Sequence, residues 1–107
     1  MVPPATPRDL LAWLVGRRSR YRVRGRSMSP ALPDGTTVLT RGQPATKDDV
    51  VVARLPGSDH IVVKRVYRVE PGGRLFLRGD GEISTDSRDY GAVASDSVLG
   101  VVVCTFP

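Results

Sequence analysis

His60-Ile61-Val62-Val63-Lys64-Arg65-Val66-Tyr67-Arg68-Val69 is the stretch that decides the fold. It is rich in β-branched and aromatic residues and free of glycine and proline, so it reads as a long strand. Side chains alternate along a strand. His60, Val62, Lys64, Val66 and Arg68 therefore share one face, and Ile61, Val63, Arg65, Tyr67 and Val69 share the other. Lys64 is unusual in this chain, because of sixteen basic residues only Lys47 and Lys64 are lysines. Arginine keeps its proton in a protein, whereas a desolvated lysine can lose it. A site that requires a neutral amine can use Lys64 and cannot use an arginine.

Short strands and turns surround this stretch. Pro71-Gly72-Gly73 turns it back into residues 74–78 as a hairpin. Upstream, Pro56-Gly57-Ser58-Asp59 is a turn, and the apolar run 50–55 suits a strand covered on both sides. Residues 36–40 form another strand, preceded by the turn residues Ser29-Pro30 and Pro33-Asp34-Gly35. Residues 19–27 alternate strictly: Arg20, Arg22, Arg24 and Arg26 face one way, and Tyr21, Val23, Gly25 and Ser27 the other. Residues 79–90 are polar and loop-like, and 98–103 is a closing strand.

Six or seven such strands predict an all-β, β-dominated fold: a compact, barrel-like single domain with a short N-terminal helix. Residues 1–7 hold three prolines and read as a loose tail; Asp9 caps a helix over roughly 10–16. That helix is expected to dock on the body of the domain, with peripheral membrane contact, backed by Arg17, Arg18 and Arg20, as the alternative. One domain is expected over 1–107: a tail and helix to residue 18, then a β core over 19–107.

Composition narrows the classes of function. The net charge of +5 permits an acidic partner, a membrane surface or a nucleic acid and selects none of them. The single cysteine, Cys104, allows no internal disulfide and reads as a buried strand residue. With one histidine and one cysteine no zinc cluster assembles, and neither metal nor organic cofactor is expected. No apolar run approaches the roughly 20 residues a spanning helix needs, and no signal peptide is evident; a cytoplasmic protein is expected.

The chemistry centres on Ser27. A serine hydroxyl needs an adjacent base to act as a nucleophile. His60 sits beside Asp59 at a turn and is expected to be solvated, whereas Lys64 lies deeper, with Val62 and Val66 as same-face neighbours. Burial lowers a lysine pKa, so a neutral Lys64 can take the Ser27 proton. The Ser27 amide and a neighbouring N–H can hold the oxyanion.

Gly25-Arg26-Ser27-Met28-Ser29-Pro30-Ala31-Leu32 resembles the nucleophile box of type I signal peptidases and the LexA-like Ser–Lys peptidases. Val63-Lys64-Arg65-Val66 resembles their general-base strand. Gly79-Asp80-Gly81 with Ser84-Thr85-Asp86-Ser87-Arg88 and Gly91 resembles their third box. The resemblance implies Ser27 as nucleophile and Lys64 as base, with Asp80, Ser84, Asp86 and Arg88 as a supporting network. It implies Gly25, Met28 and Pro30 at the substrate-binding surface, with core filler as the alternative role of Met28.

The chain departs from that pattern in several places. Gly81 stands where the family usually has asparagine, and Gly25 lacks the serine side chain that some relatives use in the oxyanion hole. The membrane anchor and extra β-domain of typical signal peptidases are missing from this sequence. In this it is similar to the short nickel-type superoxide dismutase maturation proteases. The resemblance then implies a serine endopeptidase that removes an N-terminal extension from a protein precursor. The alternatives are a signal peptidase for exported proteins and, from another class, a small basic β-barrel that binds nucleic acid. Nucleic acid is not expected as the partner, because Tyr21 faces away from the arginines. A self-cleaving repressor is not expected either, because the 26 residues before Ser27 hold no Ala-Gly or Cys-Gly pair.

Overall fold

The computed structural model of the chain describes residues 2–81 and 85–106. The alternating stretch forms β4 (Ile61–Val69), and the Pro71-Gly72-Gly73 turn returns it into β5 (Leu75–Arg78). The remaining elements among the described residues are α1 (Pro7–Leu14), β1 (Ser19–Arg22), β2 (Thr37–Arg41), β3 (Val50–Arg54), α2 (Ser87–Tyr90), a 3-10 turn (Ser95–Ser97) and β6 (Val98–Thr105). The strands make one six-stranded sheet in the order β1-β2-β6-β3-β4-β5, and every neighbouring pair is antiparallel.

Alternation sorts the apolar residues into two cores. Val50 and Val52 of β3 join Val23, Met28, Leu32, Val38 and Val102 in one cluster. Val51 and Ala53 join Val66, Leu75, Leu77, Val93 and Val101 in the other. β3 is thus buried through both sets of side chains, as its continuous apolar run predicts.

Several boundaries differ from the sequence expectation. The strand predicted over 19–27 ends at Arg22, because Gly25 turns the chain at φ 84° and gives its N–H to Asp34 Oδ1 at 2.8 Å. A bulge leaves Tyr67 out of the β4–β5 ladder, so Val66 faces Leu77 and Arg68 faces Phe76. The alternation read through 60–69 is therefore interrupted before Arg68. β6 extends to Thr105, two residues beyond the expected end. The polar segment read as a loop contains α2.

The N-terminal segment is not loose. Ala5 N–H donates to the Thr105 carbonyl at 2.8 Å, and Thr105 N–H donates to the Pro3 carbonyl at 2.8 Å. Thr6, not Asp9, caps α1. Asp9 is the third helical residue, and its carboxylate accepts from the Thr6 N–H, closing a capping box. α1 docks in part through Trp13, which meets Phe106 edge-to-face at 5.0 Å, with the Arg20 guanidinium 5.5 Å from the indole; Asp9 of the same helix lies 3.9 Å from Arg18 Nε. Leu11, Leu14 and Val15 stay exposed.

Candidate active site

β4 carries Lys64 opposite Val51 of β3. Val62 and Val66 flank it, and only 4% of its surface is exposed. Burial pushes its pKa below the ordinary lysine value, because an ammonium in this setting loses its hydration. Asp86 opposes that shift; Arg88 adds to it, and Asp89 opposes it more weakly.

Ser27 lies on the turn after β1. Ser29 N–H donates to the Arg26 carbonyl at 3.0 Å, and Leu32 N–H to the Met28 carbonyl at 2.8 Å. Met28 and Leu32 are fully buried in the first core cluster and anchor this turn, leaving Ser27 half-buried. Gly81 braces it from the other side, its N–H donating to the Ser27 carbonyl at 2.7 Å. A side chain at 81 would overlap the Arg26 carbonyl oxygen, which gives a physical reason for glycine where the family pattern has asparagine.

Ser27 and Lys64 line the same cleft, of about 290 Å³, with Tyr21, Arg22, Val23 and Arg24 on one wall and Ile61, Val62 and Val63 on the other. The Ser27 hydroxyl is not hydrogen-bonded to any described residue, Lys64 included, and no described group accepts from the Ser27 amide. That amide is therefore available to an oxyanion. The Gly25 amide is not, since Asp34 holds it.

The third segment divides into two parts. Asp80 does not reach Lys64. Its carboxylate takes Nε and Nη2 of Arg65 at 2.9 and 2.8 Å, and Arg65 Nη1 also donates to the Asp48 carbonyl at 2.8 Å. Arg65 follows Lys64 on the strand and points the other way, so Asp80 braces the opposite side of β4.

Asp86 does lie near the lysine. Its fully buried carboxylate accepts from the Gly79 amide and from the amide, Nε and Nη2 of Arg88, at 2.8 to 3.1 Å. Burial alone would raise the Asp86 pKa, but the Arg88 guanidinium and these amides outweigh it and hold the carboxyl far below its usual range. Ser84 lies outside the described residues.

Of the three residues expected at the binding surface, Gly25 and Pro30 are exposed and Met28 is core with no exposed surface; none of them lines this cleft. His60 is exposed and also outside the cleft. Sequence reasoning missed Ser87, whose buried hydroxyl accepts the Leu77 amide at 2.8 Å and ties α2 to β5. It also missed Asp34 and Arg65. The turn signal around Asp34 was legible, but its hold on Gly25, nine residues away in sequence, was not.

Among the described residues no three or more His, Cys, Asp or Glu side chains are grouped to hold a metal ion. No described helix is long and apolar enough to cross a membrane. Compared with known proteins, residues 18–103 match the model of a family described as Peptidase S24-like. No curated protein matches the chain.

Proposed function

The chain belongs to the Peptidase S24-like family, and from that premise we propose that Ser27 and Lys64 are its nucleophile and general base. Membership makes it a serine peptidase of the LexA and signal-peptidase type at the level of the family. One observation carries the assignment of residues: a lysine only 4% exposed opens on the same cleft as a half-buried serine.

The chemistry follows from that pairing. Neutral Lys64 takes the proton from Ser27 Oγ as the oxygen attacks the scissile carbonyl carbon. The carbonyl oxygen gains the negative charge and is met by the unclaimed Ser27 amide. As the C–N bond breaks, the Lys64 ammonium returns the proton to the leaving amine. Water, deprotonated by the same lysine, then releases the acyl group from Ser27. The direct Ser27–Lys64 hydrogen bond, absent here, forms when substrate closes the cleft. Asp86 and Arg88 act through the loop they brace and through their charges on the lysine.

The substrate we propose is a precursor protein carrying an N-terminal extension, with a nickel-type superoxide dismutase precursor as the specific case. Its support is the resemblance of the three sequence boxes. Mass spectrometry of that precursor incubated with wild type, Ser27→Ala and Lys64→Ala tests both parts. A single N-terminal cut by wild type is expected, slowed at least about a thousandfold in each variant. An intact precursor in all three sinks the substrate. Equal cutting by all three sinks the dyad.

A further inference from the structure

β1 is an edge of the sheet, bonded among the described residues to β2 alone. Val23 N–H donates to the Thr36 carbonyl and the Val23 carbonyl accepts from Gly35, so the extended path continues past the last strand residue. Main-chain groups alternate along such a path. Those of residues 19, 21 and 23 turn toward β2, and those of Arg20, Arg22 and Arg24 turn outward.

Two depressions run along this free edge, and Tyr21, Arg22 and Arg24 line both. One, about 290 Å³, contains Ser27 and Lys64. The other, about 320 Å³, adds Arg20 and Thr37. Arg20 is committed to the Trp13 and Phe106 rings. Arg18, Arg65, Arg68 and Arg88 each hold a carboxylate. Arg22 and Arg24 are exposed and have no ion pair, hydrogen bond or ring contact with a described residue. Charge on an edge strand also deters unwanted pairing, but that role requires neither arginine nor a position at the mouth of the cleft.

We propose that Arg22 and Arg24 are specificity-determining residues, selecting a peptide segment with carboxylates two positions apart beside the bond that is cut. This rests on the cleft being the peptidase site. A substrate strand added to the free β1 edge presents same-face side chains every second residue, the spacing of the two arginines. An aspartate or glutamate at each position then meets a planar guanidinium that grips a carboxylate with two donors. The pairs are solvent-exposed, so they act on substrate binding more than on the chemical step. Lipid headgroups or nucleic acid would meet the same charge, but neither exploits the two-residue spacing or the outward main-chain groups.

The test uses the Ser27→Ala chain, which separates binding from cutting. Fluorescein-labelled extended peptides carry Glu, Gln or Lys at two alternate positions, and anisotropy reads their binding. The Glu peptide should bind roughly tenfold tighter than the Gln peptide at low salt, two screened pairs together supplying that margin, and added salt should shrink it. Adding Arg22→Gln and Arg24→Gln should erase the margin. Adding Arg22→Glu and Arg24→Glu instead should make the Lys peptide the tightest. Equal affinity for Glu and Gln peptides overturns the proposal, as does a Glu preference that survives charge reversal. Phosphatidylglycerol vesicles or a single-stranded oligonucleotide that bind through these arginines, while the peptides go undiscriminated, overturn it in favour of that partner. Selective binding of Glu peptides that wild type never cuts fails the peptidase assignment and leaves the acidic-peptide site. Cutting of a peptide library without regard to charge fails the arginine proposal and leaves the peptidase.

Discussion

At the scale of single residues, the proposed chemistry turns on the protonation of Lys64. Its pKa is displaced downward by burial, and only the neutral amine serves as a base. kcat/KM should therefore rise with pH along a limb whose midpoint lies below the ordinary lysine value. Lys64→Arg should abolish activity across the whole range, because a guanidinium does not give up its proton. A pH–rate profile on a cleaved peptide checks both; a limb at the ordinary lysine position would remove the desolvated base. The same shift has a consequence for stability. Between the folded and the higher unfolded pKa, the unfolded chain binds more protons, so Lys64 makes stability rise with pH across that window.

At the scale of elements, α2 is held by buried polar groups as well as by Tyr90, which packs against the second core cluster. Asp86 caps α2, accepts from Gly79 and pairs with Arg88, while Ser87 takes the Leu77 amide. A four-residue helix has little stability of its own, so these bonds set its place. Asp86→Asn weakens the charge-assisted bonds that the buried carboxylate accepts and should cost about 2–3 kcal/mol in urea unfolding. It also removes the charge that supports the Lys64 ammonium. The activity limb should then move to lower pH. A loss of stability with the limb unmoved would show that Asp86 braces the loop without acting on the lysine.

At the scale of the whole molecule, one sheet buries apolar side chains in two clusters, and the N-terminal helix is an accessory to it. α1 contributes no buried residue and is held by the Trp13–Phe106–Arg20 contact together with the Pro3–Ala5 bonds to β6. Trp13→Ala should weaken this local docking by about 1–2 kcal/mol, the worth of one aromatic pair and one cation–π contact. Trypsin should then cut faster at Arg17 and Arg18, while unfolding of the sheet core hardly shifts. A large fall in core stability instead would show that the helix is integral to the fold.

The sequence by itself determined the strand content, the hairpin at 71–73, the burial of β3 on both sides and the candidate pair Ser27 and Lys64. Each of these is carried by local signals: period-two alternation, turn residues, and a lysine where arginine is the habit. Tertiary structure alone decided which polar side chains meet. Asp80 and Asp86 look alike in a polar run, yet one pairs with Arg65 on the far side of β4 and the other sits buried near Lys64. Met28 was legible both as a pocket residue and as core filler, and only Leu32, Val38 and Val102 closing around it decided for the core. The capping threonine, the Gly81–Ser27 bond and the unpartnered arginine edge belong to the same class. Alternation and turn chemistry are properties of neighbours in the chain, whereas pairing, burial and the absence of a partner are properties of neighbours in space.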